Sequence, residues 1–332
     1  MKKECCLFDT DLNGHRHGYL EYLAGEFRDR SPRRVIGKTI RNWLTLVRTP
    51  DLILVSGDSY VIFAGTVGFV RRLLGKRTSA IYIAPHHLHR GQGVVSAIKG
   101  SLLLLAKKSG ILHGYAIIPF DLEPRSESLC EGWIYDIQFC TSNSIDHGDF
   151  PESESSLRVW FDLQSENSRR VIVYLGFLWR VRGADQLMEM AGRLVSDSGW
   201  ALLVAGKTDA TMEKVVATIQ NDKIKIHDSF LSEKMFDECL NRSDLVWCYF
   251  PHAYNQSSGI FCNSFIANKM VVVRKGGFLD RFGRRHLAMT EVPPDSTLSL
   301  PPDAVVLQGF NSAATLRKIR EFNHLNLQKA LR

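Results

Sequence analysis

Residues 171–175, VIVYL, followed by Gly176, and residues 201–205, ALLVA, followed by Gly206, decide the fold of this chain. Each is a short, continuous apolar run, which is the pattern of a strand buried on both faces of a sheet. Between the two runs, residues 184–195 place apolar side chains at helical spacing. A buried strand, a helix and a second buried strand predict a parallel βαβ unit.

The same alternation extends in both directions along the chain. Towards the C-terminus it predicts strands at 223–226, 245–248 and 271–273 and helices at 211–219, 233–240 and 260–267. Towards the N-terminus the rhythm is less clean, with strands expected at 5–9, 52–55, 80–84 and 113–119 and helices from Tyr19, at 61–74 and at 94–108. Residues 121–156 read as connecting structure. The chain is therefore expected to be α/β, with two doubly wound domains.

We place the domain limits at 1–165 and 166–310, and predict an amphipathic helix in 311–332, for which crossing back to the first domain is an option. The 332 residues are 45% hydrophobic and 23% charged, which excludes disordered and fibrous classes. The longest apolar run, 101–106, is far too short to span a bilayer, and the N-terminus does not read as a secretory signal. Seven cysteines without C-x-x-C spacing favour a cytoplasmic chain with reduced thiols.

Charge is unevenly distributed along the chain. Residues 1–110 hold 18 lysines and arginines against 8 acidic residues, whereas residues 111–168 hold 2 against 11. A basic first segment could attract phosphates, anionic lipid or nucleic acid, or be only a solvated surface. Residues 71–77, RRLLGKR, with Lys99, Lys107 and Lys108, form a basic amphipathic region that could touch an anionic membrane or be a buried helix with charged ends. Nucleic acid is not expected, because aromatic residues do not alternate with the basic runs.

Four elements of the second half occur in a characteristic order. They are Tyr174-Leu175-Gly176, then Arg182-Gly183, then the strand 200–206, and then Ser257-Ser258-Gly259 opening a helix. This order resembles the donor-binding domain of retaining GT-B glycosyltransferases. The resemblance is clear over residues 169–275, whereas the first half shares only the alternation of strands and helices. It implies two Rossmann-like domains facing a cleft, a nucleotide-diphosphate sugar as donor, a glycan or lipid-linked acceptor, and no metal or other cofactor.

A diphosphate needs its negative charge neutralised, and cations and helix N-termini are the two devices that suit this task. Arg180 and Arg182 follow a predicted strand end, where open α/β sheets bind ligands. Ser258 and Gly259 begin a predicted helix, with a good N-cap and a residue that lets phosphate approach the backbone. We therefore assign these four residues to donor binding. The alternatives are a solvated arginine pair and a plain N-cap.

The chain also departs from the resembled family. The family's Glu-x7-Glu pattern is represented by Asn255 and Asn263, which can bond to sugar hydroxyls but cannot act as a base. We assign Asn263 to the ribose and Asn255 to the catalytic position. The missing charges leave a second hypothesis open, namely a non-catalytic GT-B-like binding or scaffold subunit of a polysaccharide assembly system.

Two stretches of the first half are candidates for the side of the implied cleft that faces the donor-binding residues. Gly14, flanked by His15 and Arg16, lies in a glycine-containing loop after the first strand, and the resemblance assigns it to donor binding. His87, preceded by His86, follows a strand, and the resemblance places a histidine of this kind beside the reacting carbon. A surface turn and a structural histidine are the alternatives. Asp9-Thr10-Asp11 looks like the Asp-x-Asp metal motif of another glycosyltransferase fold, but it directly follows the first strand, and we interpret it as coincidence.

Overall fold

The computed structural model describes residues 4–11, 16–88, 93–141, 152–178, 182–195, 199–208, 221–252, 254, 256–309 and 312–331. The chain divides into two compact units, one formed by Met1–Thr141 with Leu316–Arg332 and the other by Ser142–Thr315. The helix Glu152–Glu166 therefore belongs to the second unit, whereas nearly all of its residues fall within the predicted first domain, 1–165.

The first unit is built on a six-stranded parallel sheet with the order β2-β1-β3-β4-β5-β6. Its strands are β1 (Cys5–Asp9), β2 (Arg33–Ile36), β3 (Asp51–Leu54), β4 (Ser79–Tyr82), β5 (His113–Ala116) and β6 (Gly132–Trp133). Its helices are Arg16–Glu26, Ile40–Arg48, Val61–Leu73, Val94–Lys108 and Arg125–Leu129. Helices on both faces bury the central strands completely, which explains their continuous apolar runs.

The second unit has a seven-stranded sheet with the order β12-β13-β11-β10-β7-β8-β9. Its strands are β7 (Arg170–Leu175), β8 (Trp200–Ala205), β9 (Ile224–His227), β10 (Leu245–Trp247), β11 (Met270–Arg274), β12 (Met289–Val292) and β13 (Ala304–Gly309). Its helices are Glu152–Glu166, Ala184–Val195, Glu233–Arg242, Gly259–Ile266 and Phe278–His286. Strands β7 to β11 are parallel, whereas β13 runs antiparallel to both β11 and β12.

Several elements were absent from the sequence prediction. They are β2, the helix Ile40–Arg48, the helix Glu152–Glu166 and everything between Phe278 and Gly309. The antiparallel strands β12 and β13 add an edge that the sequence prediction did not include to the predicted doubly wound sheet. The connecting structure expected at 121–156 contains the helix Arg125–Leu129 and β6. The helix predicted at 211–219 lies outside the described residues.

Arg71, which the sequence analysis counted in a basic amphipathic region, is completely buried. Its guanidinium donates to the carbonyls of Leu46, Thr49, Pro50 and Arg77 and to the Thr78 hydroxyl, at 2.6–2.9 Å. Burial lowers the pKa of Arg71 to about 10. This arginine therefore fastens the end of the helix Ile40–Arg48 to its neighbours and offers no charge to a partner.

The C-terminal helix Ser312–Ala330 returns to the first unit, to which Leu316–Arg332 belongs. Asn323 is fully buried, accepts from the Tyr135 amide at 2.7 Å and donates to the Tyr135 carbonyl at 3.0 Å. Phe322 packs on Trp133, with ring centroids 4.5 Å apart. These contacts hold the end of the chain against the segment that carries β6.

Within the described residues, no helix is long and apolar enough to cross a membrane. The same residues contain no group of three or more histidine, cysteine or acidic side chains arranged to hold a metal ion.

Candidate functional site

The carboxyl ends of β7 and β8 in the second unit approach each other through two glycines. The Gly176 amide donates to the Ala205 carbonyl at 2.9 Å, and Gly176 and Gly206 have φ angles of 121° and 147°. A Cβ atom on Gly206 would lie 1.8 Å from the Gly176 carbonyl oxygen. Only glycine can occupy position 206 in this conformation, so the strand-then-glycine pattern in the sequence has a direct structural reason.

Arg182 lies just beyond this edge, at the start of the helix Ala184–Val195, and is half-buried. Its guanidinium carbon is 5.7 Å from the centroid of the Tyr254 ring, within cation–π range. The next residue, Gly183, has φ 76°, and a Cβ there would lie 3.1 Å from the Pro251 side chain. The loop after β7 and the loop after β10 are therefore in contact.

Tyr254 connects Arg182 to the beginning of the helix Gly259–Ile266. Its hydroxyl donates to the Ser257 carbonyl at 3.2 Å. Ser258 is the N-cap, with extended backbone, and its buried side chain makes no hydrogen bond to the first turn of the helix. The structure thus places Arg182, Ser258 and Gly259 at the same edge of the sheet, with Asn263 one turn further along the helix. Arg180 and Asn255 lie outside the described residues.

A polar cluster supports the loop that follows β10. Asp303 accepts from the Tyr249 hydroxyl at 2.5 Å and from the Arg274 guanidinium at 2.8 Å, and Arg274 also donates to the Phe250 carbonyl at 3.0 Å. Burial opposes ionisation of Asp303, but the Tyr249 hydroxyl and the Arg274 charge outweigh it and lower the pKa of that carboxyl. Burial, followed by the bond to Asp303, raises the pKa of Tyr249 to about 12. At neutral pH Asp303 is therefore ionised, while Tyr249 keeps its proton and donates it to that carboxylate.

The ends of β8 and β9 contribute a second charged group at the same edge. The Asp228 carboxylate accepts from the Thr208 amide at 2.8 Å and lies 3.5 Å from the Lys207 ammonium. Burial on its own would raise the pKa of Asp228, but the hydrogen bond from Thr208 and the charge of Lys207 outweigh it, so the pKa is lowered. Sequence analysis missed Tyr254, Asp228 and the Asp303 cluster, because isolated polar residues at or near strand ends carry no motif.

In the first unit, Asp9 ends β1 with its side chain fully buried. It accepts from the Thr10 amide at 2.6 Å, from Arg16 at 3.2 Å and from the Ser56 hydroxyl at 3.3 Å. Burial raises the pKa of Asp9, in spite of these donors and the Arg16 charge. Asp11 is also paired with Arg16, at 2.9 Å. Both carboxylates of the Asp-x-Asp sequence thus bind an arginine in this structure.

His87 lies in the short 3-10 turn Pro85–Leu88 beyond the end of β4. The turn is held by Asp58, whose carboxylate accepts from the Ile83 and Ala84 amides at 3.1 and 2.8 Å. Burial raises the pKa of Asp58. His86 is buried, His87 is half-buried, and their rings lie 4.2 Å apart. Asp9 and His87 therefore follow parallel strands at the same edge, whereas Gly14 and His15 lie outside the described residues.

No protein-family model and no curated protein sequence matches this chain. Solved structures do match in fold. HepE of Anabaena in complex with UDP-glucose is 11% identical, with 99% of this chain and 92% of that chain covered and a TM-score of 0.61. MnaA of S. aureus with UDP is 10% identical, with coverage of 97% and 90% and a TM-score of 0.58. The α,α-trehalose-phosphate synthase (UDP-forming) of Burkholderia vietnamiensis is 10% identical, with coverage of 99% and 96% and a TM-score of 0.54. These matches confirm the predicted fold of two Rossmann-like α/β domains, GT-B.

Proposed function

We propose that this chain of GT-B fold is a glycosyltransferase that moves a sugar from a nucleotide-diphosphate donor to a glycan or lipid-linked acceptor. One observation carries the proposal: Arg182 and the N-terminus of the helix Gly259–Ile266 lie at one sheet edge and are connected through Tyr254. A cation beside a helix N-terminus is an arrangement that suits a diphosphate. The solved relatives in complex with UDP and UDP-glucose support the same donor class.

The leaving diphosphate defines the chemical task. As the sugar–phosphate bond breaks, negative charge grows on the diphosphate, and groups fixed in advance around it lower the barrier. Arg182 would supply a positive charge, and the free amides at Gly259 and the next residue would donate hydrogen bonds. The Ser258 hydroxyl, which does not cap the helix, would be available to the same ligand. Asn263 would contact the ribose.

The same proposal includes retention of the anomeric configuration. It also includes a cytoplasmic role in polysaccharide biosynthesis at the inner face of a membrane. His87 would lie beside the reacting carbon, with Asn255 at the position of the family's first glutamate. Gly14 and Arg180 would complete the donor site. A lipid-linked acceptor would bring the first unit to a membrane surface. No metal or other cofactor is assigned a role.

A second candidate function is a binding subunit that holds nucleotide sugar without turnover. Asn255 and Asn263 favour it, because neither amide can take the role of a carboxylate. The two functions differ in a single assay. A transferase releases UDP or GDP from a donor when a suitable acceptor is present, whereas a binding subunit shows donor binding and no release with every acceptor tried.

Thermal unfolding with UDP and with GDP tests the donor site. At a ligand concentration of about 100 times Kd, binding adds about 2.7 kcal/mol to the free energy of unfolding, enough for a clear rise in Tm. Arg182→Ala should weaken binding by about 10- to 100-fold, because it removes a charged donor. Arg193→Ala, an exposed arginine of the helix Ala184–Val195, is the matched control and should bind like the wild type. A wild-type protein that no nucleotide stabilises would refute the proposal.

A further inference from the structure

The solvent side of the helix Val94–Lys108 is apolar. Val94, Ile98, Leu102 and Leu105 recur at helical spacing and are all exposed, Val94 by 77% and Ile98 by 56%. Leu103 and Ala106 point the other way and are buried. A surface helix ordinarily turns its apolar residues to the core and its charged residues to water. Packing within the first unit accounts for the buried side of this helix but not for the exposed apolar stripe formed by Val94, Ile98, Leu102 and Leu105.

The helix Val61–Leu73, which packs beside it, has the same property. Ile62, Phe69 and Leu73 are exposed at helical spacing, Ile62 by 72%, while Val61, Ala64 and Val67 are buried against the sheet. On its other side lies the helix Ile40–Arg48, which adds the exposed Ile40. Contiguous exposed apolar surface of this kind marks an interaction site rather than ordinary scatter of single side chains.

The segment that contains both helices carries charged side chains of one sign. Residues 59–120 contain eight lysines and arginines and no aspartate or glutamate. Lys38 and Lys99 line a recess of about 470 Å³ beside the stripes, together with Trp43, Tyr60 and Phe63. Within the described part of the chain, no carboxylate forms an ion pair with either lysine. The recess is therefore a cationic opening in an apolar surface.

Two of the cations that the sequence analysis grouped here serve the fold instead. Arg71 is buried, and Lys107 donates to the carbonyls of Glu127 and Cys130, both at 2.7 Å. Lys38 and Lys108 are exposed, and Lys99 lines the recess, so these three lysines place positive charge beside the stripes. We define the docking face as the exposed apolar residues of the helices Val61–Leu73 and Val94–Lys108 together with these three lysines.

We propose that the docking face of the first unit binds an anionic lipid bilayer. Apolar side chains on neighbouring helices can enter the boundary between head groups and acyl chains while lysines contact lipid phosphates, which is how amphipathic surfaces bind membranes. Charge complementarity selects this occupant over a second copy of the chain, because an interface between two copies of this face would bring like charges together. The inference does not depend on nucleotide binding, so each can fail without the other.

Flotation with lipid vesicles tests the proposal, without any nucleotide present. One set is phosphatidylcholine alone, and the other contains phosphatidylglycerol and phosphatidylcholine in a ratio of about 3:7. The wild type should float with the anionic vesicles, less so at high salt, and not with the neutral ones. The double variant Phe69→Gln with Ile98→Gln should bind at least tenfold more weakly, because it removes about two buried side chains from the contact.

The matched control is Val159→Gln with Phe230→Gln, which changes two apolar residues of the second unit that are each 68% exposed. It should bind vesicles like the wild type. Lys99→Gln should weaken binding about fivefold, and Lys275→Gln, an exposed lysine of the second unit, should have no effect. Each variant should keep the wild-type Tm, because exposed positions are replaced.

Four results would overturn the proposal. The wild type could fail to float with anionic vesicles, or float equally with neutral ones. The double variant could bind as strongly as its control. Sedimentation could show a wild-type dimer that the double variant abolishes, which would identify a second copy as the occupant of this face.

Discussion

The Arg182 guanidinium lies 5.7 Å from the centroid of the Tyr254 ring, so two loops far apart in sequence meet at one sheet edge. The first loop follows β7 and the second leads into the helix Gly259–Ile266. The ring holds the cation on one side, while the tyrosine hydroxyl is bonded to the Ser257 carbonyl on the other. Tyr254 therefore links Arg182 to the start of the helix.

The first prediction separates the ring of Tyr254 from its hydroxyl. Tyr254→Phe keeps the aromatic face under Arg182, and Tyr254→Ala removes it. A cation–π contact is worth about 0.5–2 kcal/mol, so Tyr254→Ala should weaken nucleotide binding by about 2- to 30-fold, and Tyr254→Phe by less. Calorimetric titration with UDP and GDP measures both. Equal affinities for the wild type and Tyr254→Ala would show that the ring does not position Arg182.

The second prediction concerns the close approach of the strand ends. Gly206→Ala should lower the free energy of unfolding by about 3–5 kcal/mol, because its Cβ would lie 1.8 Å from the Gly176 carbonyl oxygen at a φ of 147°. The control is Gly192→Ala, in the helix Ala184–Val195, where a Cβ meets nothing within 4 Å. That change should stabilise by about 0.5–1 kcal/mol. Urea denaturation measures both, and similar effects at the two glycines would contradict the geometry.

The sequence predicted the interior parallel strands of both sheets because fully buried strands leave a direct signature. The runs at 171–175 and 201–205 are apolar on both faces, and they are strands in the structure with their limits shifted by a residue at most. β2 was missed because it reads RRVI, with two exposed arginines at its start, as suits the edge of a sheet. β12 was missed for the same reason, since Thr290 and Glu291 are exposed there.

The candidate site was predictable only where residue types follow a strand in sequence. Arg182, Ser258 and Gly259 could be named, because helix starts and cations after strands are readable from a linear pattern. Their connection through Tyr254 could not, because it depends on a contact between loops 72 residues apart. For the basic residues 71–77 the sequence analysis erred in the other direction, by grouping residues that differ in burial. Sequence alone cannot separate Arg71, buried among carbonyls, from its exposed neighbour Arg72.

The third prediction uses that pair of arginines. Arg71→Met should lower the free energy of unfolding by about 3–5 kcal/mol, because it removes a buried guanidinium that donates to four carbonyls, those of Leu46 and Thr49 in fully buried bonds. Arg72→Met removes an exposed arginine that donates to the Gly110 carbonyl and should cost less than about 1 kcal/mol. Chemical denaturation compares the two variants. A tolerated Arg71→Met would mean that water replaces the guanidinium, and that the residue is not structural.

The fourth prediction concerns the attachment of the C-terminal helix. Asn323→Leu should lower the free energy of unfolding by about 2–3 kcal/mol, because the amide and the carbonyl of the half-buried Tyr135 both lose their partner, the fully buried Asn323 side chain. Asn326→Leu, on the same helix, removes one bond to the carbonyl of Phe322 and is the matched control, with an expected change below about 1 kcal/mol. Hydrogen exchange at the Tyr135 amide gives a local readout. Unchanged protection in Asn323→Leu would place the attachment elsewhere along the helix.

The last prediction follows from a buried thiol. Burial, assisted by the carboxylates of Glu238 and Glu154, raises the pKa of Cys239 to about 12, against 9.0 for an ordinary thiol. Between about pH 9 and 12 the unfolded chain has lost this proton and the folded chain still holds it. The unfolded state then binds fewer protons, so the free energy of unfolding falls as pH rises, by up to about 1.4 kcal/mol per pH unit from this group.

Cys239→Ala isolates that contribution, because alanine does not titrate. The variant should be less stable than the wild type at pH 7, where it creates a small cavity, and should lose stability less steeply above pH 9. Ser264→Ala also replaces a fully buried polar residue, but one without a proton to lose in this range, so its pH dependence should match the wild type. Urea denaturation at pH 7, 9, 10 and 10.5 gives the three curves. Parallel curves for the wild type and Cys239→Ala would mean that the Cys239 thiol titrates alike in the folded and unfolded chains, and that its burial has no electrostatic cost.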